Sequence, residues 1–145
     1  MALELHGTTG VSLVQDGVVA TADLADSVIT TAKLDSGVNS GVAKAWVNFN
    51  GTGTVAIRKG FNVSSITDLG VGRYTITFTT AMVDVNYCVT SACSPNGANT
   101  MYSPLVFAGA PWATAAPSTT AFSIVTNKND TNVSDTSYIT LAVFN

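Results

Sequence analysis

Charge is what this chain has least of. Lys, Arg, Asp and Glu together make up 10% of its 145 residues, against roughly 25% in an ordinary soluble domain. There is one glutamate (Glu4), one histidine (His6) and two cysteines (Cys88 and Cys93). Each scarcity excludes something. The six Lys and Arg residues form no cluster, which argues against nucleic acid and against an anionic membrane surface, because both depend on concentrated positive charge. No apolar run is long enough to span a bilayer. The N-terminus lacks the basic region and apolar core of a secretion signal, so the chain is expected to assemble where it is made or to travel within a larger object. A Ser-His-Asp triad or a zinc site with several imidazoles would have to use His6, far from any Gly-x-Ser-x-Gly pattern. It reads as a structural or solvated histidine. The nine acidic residues lie mostly in a repeat or in loops and select no pair for acid–base work. Cys88 and Cys93 would need a tight reversal to form a disulfide and further ligands to hold a metal, and they read as two buried free thiols. No catalytic residue, cofactor site or metal site is assigned.

What fills the polar deficit is hydroxyl and amide: 21 Thr, with many Ser and Asn. With 46% apolar residues the chain is not a disordered tail. Thr, Val, Ile, Tyr and Phe favour strands, and runs of helix formers are missing. The fold class is all-β. A surface this poor in charge, and rich in Thr, Ala and Val, suits burial against copies of itself.

Along the chain, Leu3/Leu5 and Val11/Leu13 alternate on either side of His6-Gly7-Thr8-Thr9-Gly10, which predicts two short strands around a turn. A repeat of period ten follows: Val18-Val-Ala-Thr-Ala-Asp-Leu-Ala-Asp-Ser27 aligns with Val28-Ile-Thr-Thr-Ala-Lys-Leu-Asp-Ser-Gly37. Each copy reads as a brief extended piece and one helical turn, with Thr21 and Thr31 as N-caps. Two such units cannot form a core alone. Their apolar side (Val18, Val19, Leu24, Val28, Ile29 and Leu34) must meet another chain or domain. Asn39-Ser40-Gly41 reads as a hinge.

The stretch Lys44-Ala-Trp-Val-Asn-Phe-Asn-Gly51 then opens a different domain. Ala45, Val47 and Phe49 fall on one face of a strand, and Trp46, Asn48 and Asn50 on the other. Seven strands are expected, at 44–50, 54–58, 73–79, 86–92, 101–107, 121–126 and 137–144. Many short strands separated by turns indicate an antiparallel β-sandwich or jelly-roll-like knob. The chain thus divides into a short extended anchor or shaft at 1–43 and the knob at 44–145. Asp130-Thr-Asn132-Val-Ser134 opens like a calcium loop, but Asp135 stands where Gly is required and Leu141 where Glu is. Tyr102, and Trp112 between Pro111 and Pro117, are candidate exposed-loop contacts. An aromatic on a loop stacks on a sugar ring or anchors a protein contact, or else caps the end of the sandwich.

The segment from Lys44 through Gly51-Thr-Gly-Thr-Val-Ala-Ile-Arg58 resembles the opening of a β domain common in bacteriophage virion proteins, many of them tail fibres. The resemblance continues through Phe61-Asn-Val-Ser-Ser-Ile-Thr-Asp68, Tyr74-Thr-Ile-Thr-Phe-Thr-Thr-Ala-Met82 and Asn86-Tyr87. It closes with Asp135-Thr-Ser-Tyr-Ile-Thr-Leu-Ala-Val-Phe144. The Thr-Ala-X-Leu repeat is similar to shaft repeats ahead of such domains, and Gly7-Thr-Thr-Gly-Val-Ser12 is more weakly similar to the starts of phage structural proteins. The resemblance implies a non-enzymatic, homotrimeric protein of the virion surface, made in the host cytoplasm, whose partners are its own copies and other capsid or tail proteins. Two decapeptide repeats make a shaft of a few tens of ångströms at ~3.3 Å per residue. That length fits a knob seated on the particle, such as a capsid decoration (cement) protein. The alternative is a short tail fibre whose loops at 94–104 and 109–117 contact host-surface glycan.

Overall fold

The alternation at 44–50 becomes the first strand of a two-layered β sandwich. The computed structural model describes residues 5–6, 10–11, 29–30, 33–34, 36–94, 102–106, 116–128 and 132–145. The chain divides into two units, Met1–Asn39 and Ser40–Asn145, four residues ahead of the boundary expected from sequence. In the first unit β1 (Leu5–His6) pairs antiparallel with β2 (Gly10–Val11), Leu5 opposite Val11, as the glycine-flanked turn predicts. The unit boundary falls within the expected hinge, between Asn39 and Ser40, but Asn39, Ser40 and Gly41 are helical, in α1 (Ser36–Gly41). Its sequence SGVNSG contains no strong helix former, so intrinsic propensity gave no sign of it.

The second unit runs β3 (Ala45–Asn50), β4 (Ala56–Phe61), β5 (Val63–Asp68), β6 (Arg73–Phe78), β7 (Cys88–Cys93), β8 (Tyr102–Val106), β9 (Ala121–Lys128), β10 (Asn132–Val133) and β11 (Ile139–Phe144). All pairings are antiparallel. One sheet has the order β4-β3-β11-β7; in the other, β5, β6 and β9 are neighbours in that order, and β9 also pairs with β8 and β10. Thr126 shows how β9 serves three strands. Its N–H donates to Gly72 O and its carbonyl accepts from Ser134 N, so β6 and β10 follow one another along one edge and β8 takes the other.

Period-two burial explains why these residues form these strands. Ala45, Val47 and Phe49 on β3, and Ile139, Leu141 and Val143 on β11, face Tyr74, Ile76 and Phe78 on β6 and Phe122 and Ile124 on β9 across one core. Each is buried to 5% exposure or less, and the Val, Leu, Ile and Phe side chains among them contribute about 1.5–3 kcal/mol apiece. Edge-to-face rings hold the layers: Phe49 against Tyr74 at 5.3 Å and Phe78 against Tyr87 at 5.7 Å between centroids.

Seven strands match the expected ones, with β4 displaced toward the C-terminus; β5 and β10 were not expected. A register shift between Val63 and Ser65 puts the two core-packed residues of β5, Val63 and Ile66, three apart. That breaks the alternation by which strands are recognised. The chain passes from β4 in one sheet to β5 in the other through a single residue, Asn62, at φ 55°. Asn tolerates that conformation better than most residues. Its amide nitrogen donates to Lys44 O at 3.0 Å and Thr80 O at 3.1 Å, while its amide oxygen accepts from Thr80 N at 2.7 Å.

Strand β11 lies between β3 and β7, so its loss would expose both neighbours and half the core. Deleting residues 139–145 is expected to abolish cooperative unfolding. Ile139→Ala, at a fully buried position, should cost about 2–5 kcal/mol in a chemical-denaturation midpoint measured against the parent protein.

Candidate functional site

The ionisable groups come first, because an enzyme would need them. Among the described residues no three His, Cys, Asp or Glu side chains converge as metal ligands. Asp135 is committed to structure. Its Oδ1 accepts from Gly72 N at 2.6 Å and from the Tyr74 hydroxyl at 2.9 Å, and that hydroxyl also reaches Gly51 O at 2.7 Å. One phenolic proton is shared between two acceptors. Burial first, then the hydrogen bond and negative charge of Asp135, with a smaller contribution from Asp68, push the Tyr74 phenol well above its usual range. The protonated phenol thus ties Gly51 O to the Asp135 carboxylate. Both glycines are required by proximity. A Cβ on Gly51 would lie 2.5 Å from the Tyr74 hydroxyl, and one on Gly72, at φ +63°, would lie 2.7 Å from Ser134 N.

The cysteines are corrected in part. Both are free, but Cys88 is exposed and Cys93 half-buried, not a buried pair. They begin and end β7, so five residue-to-residue steps put their Cα atoms about 17 Å apart, far beyond disulfide reach. Their odd spacing also puts them on opposite faces of the sheet. Burial raises the Cys93 thiol more than the adjacent Thr136 hydroxyl lowers it. That Thr136 hydroxyl is buried without a well-formed hydrogen bond, so its contact with the sulfur is weak.

Of the contact residues expected from sequence, Ile29 is 53% exposed and Leu34 half-buried. Val18, Val19, Leu24, Val28 and Trp112 lie outside the described residues. Tyr102 opens β8 opposite Lys128, and its side chain likewise lies outside the description.

The structure assembles a different surface, the outer face of the β4-β3-β11-β7 sheet. Because Ala45, Val47 and Phe49 point inward, Trp46 and Asn48 point out. Register sets Phe61 of β4 and Ala142 of β11 on either side of Trp46, and Lys59 and Thr140 on either side of Asn48. Phe61 is 56% exposed, Tyr138 52% and Trp46 36%. A register shift between Asn48 and Phe49 reaches β4 at Arg58. The Arg58 guanidinium lies 4.0 Å from the Tyr138 ring centroid, with its Nη1 3.4 Å from Asn48 Oδ1. Next to this ridge, Thr90, Ser91, Ala92, Thr140, Leu141 and Ala142 line a depression of about 250 Å3, smaller than a pocket that encloses a drug-sized ligand. The outward positions of the four strands hold Arg58 and Lys59 and no carboxylate.

Sequence reasoning had placed Trp46 on the reverse face of its strand but missed the surface. Phe61 lay outside the expected strand at 54–58, and cross-strand neighbours depend on register. The arrangement can grip a flat or extended partner; it cannot enclose one. No helix among the described residues is long and apolar enough to cross a membrane.

Fold and face together define an all-β sandwich that presents an open contact surface. Compared with protein families, with curated proteins and with solved structures, the chain matches none.

Two outcomes test this assignment of side chains. With iodoacetamide, Cys88 should alkylate first in the folded protein, and Cys93 should catch up only at higher pH, because the thiolate is the nucleophile and burial delays its formation; peptide mass mapping reads both sites. Tyr74 is held protonated in the fold, so its contribution to stability is complete below about pH 10 and lost as pH rises above it. Tyr74→Phe should lower stability by about 1–3 kcal/mol at neutral pH and flatten the alkaline loss, as seen in denaturation midpoints from pH 8 to 11.

Proposed function

We propose that this chain is a non-enzymatic structural protein of a bacteriophage virion, a homotrimeric knob on the particle surface. In this reading residues 1–43 attach and trimerise, and the sandwich is displayed. The observation that supports it most is the character of the displayed surface. Val83 is 89% exposed, Val71 56% and Val85 49%, on a chain with a tenth of its residues charged. Exposed apolar side chains in so little charge favour contact with neighbouring subunits over life as a free monomer. Within this reading we favour a seat on the capsid as a decoration (cement) protein, because exposed apolar side chains suit contact with lattice subunits. Such a protein stabilises the head by binding only the assembled, folded lattice, a gain by mass action.

The second reading, a short tail fibre whose tip contacts host-surface glycan, is favoured by one observation: three exposed aromatics, Trp46, Phe61 and Tyr138, share a face with Arg58 and Lys59. Side chains of that kind stack on sugar rings.

Light scattering of the purified protein should give three times the chain mass of 14.9 kDa, and removal of residues 1–43 should lower it to one. A monomer in both cases would sink the trimer. Gold labelling of intact particles should decorate the head; label confined to the tail would select the second reading.

A further inference from the structure

We propose that the outer face of the β4-β3-β11-β7 sheet binds an anionic polysaccharide, a chain of uronic or other acidic sugars, across the ridge of Trp46 and Phe61 and the cations of Arg58 and Lys59. The inference rests on the display reading, in which this face is turned away from the particle.

Charge selects the sign of the ligand. The outward positions of the four strands carry two cations and no carboxylate, in a protein whose net charge is −3. These are two of the five cations of residues 40–145, and no carboxylate stands among them on this face. Among the described residues neither Arg58 nor Lys59 has a carboxylate partner. Arg58 is held instead by the Tyr138 ring at 4.0 Å, a contact that fixes the guanidinium without neutralising it.

Shape and hydrogen bonding select the class. Phe61 stands directly across from Trp46, so two aromatic side chains adjoin on an open surface, where the C–H face of a pyranose ring can lie against them. Two residues further along the strands, Asn48 lies opposite Thr140. The depression beside them is lined by Thr90, Ala92 and Ala142. Amide and hydroxyl groups in that position pair with ring hydroxyls, and the small side chains leave room for a chain lying across the strands. An acidic peptide would satisfy its own backbone at a strand edge. The aromatic ridge and the hydroxyl-lined hollow do not serve that purpose.

The test is retention of the full-length protein on immobilised polygalacturonate, with dextran as the uncharged control and polyglutamate as the acidic peptide. Polygalacturonate should retain the protein, more weakly as salt screens the cations; dextran and polyglutamate should not. Trp46→Ala and Phe61→Ala should each weaken binding at least tenfold, and Arg58→Gln with Lys59→Gln should abolish it. Thr67→Ala, on the other sheet, should leave it unchanged. All these side chains are at least one-third exposed or lie on edge strands, and unchanged thermal midpoints check that the variants fold. Failure of the folded parent protein to bind polygalacturonate, hyaluronate and heparin would overturn the proposal. So would equal retention on polyglutamate, or undiminished binding by the aromatic variants. Antibody access to Lys59 on intact particles separates the two claims: an accessible face without polyanion binding overturns the ligand alone, whereas an inaccessible one overturns the display reading.

Discussion

The sandwich depends on a buried hydroxyl. Tyr74 comes from the β5-β6-β9 layer, Gly51 follows β3 of the other, and Asp135 lies on the link between β10 and β11. The three meet at 2.7 and 2.9 Å, with Gly72 N joining at 2.6 Å. Sheets packed only through apolar side chains can slide by small amounts at little cost, because the hydrophobic effect has no direction. A hydrogen bond has direction, and an unmade one in a dry core costs more than a made one contributes. This node therefore sets the registry of the layers, and the edge-to-face contact of Phe49 on the same ring completes it.

At the other end of the same strands, the Asn62 corner plays a similar part. Its amide ties Lys44 and Thr80, the residues just before β3 and just after β6. With both ends tied, β4 is obliged to run beside β3 as an edge strand. It is exposed along its whole length and carries Arg58, Lys59 and Phe61 outward. The β4 part of the contact face is thus a consequence of how the chain turns between sheets. Its register shift and its two cations also deter pairing with a free strand, so the edge can stay open while the face remains available.

How much of this was legible in the sequence depends on how local the cause was. Strands β3, β6, β9 and β11 were readable because Ala45/Val47/Phe49, Tyr74/Ile76/Phe78, Phe122/Ile124 and Ile139/Leu141/Val143 alternate without interruption. Strand β5 was not, since its bulge breaks the period and its serines and threonines look like a loop. Helix α1 was hidden by its Gly and Ser content. Cys88 was misread as buried because an edge position cannot be told from a central one in a single sequence. The contact face was hidden for a fourth reason. Trp46, Phe61, Arg58 and Tyr138 are spread over 93 positions, and only pairing brings them together.

The division of charge adds a last constraint. Residues 1–39 carry five carboxylates and one lysine, whereas residues 40–145 carry five cations and four carboxylates. The sandwich is therefore nearly neutral while the segment before it is acidic. A nearly neutral body generates little long-range field of its own, so the local potential above Arg58 and Lys59 is not cancelled at distances within a Debye length, ~8 Å at physiological salt. An anionic partner approaching that face meets attraction there. Orientation on encounter would then be set by two side chains, with the aromatic ridge governing how long the partner stays.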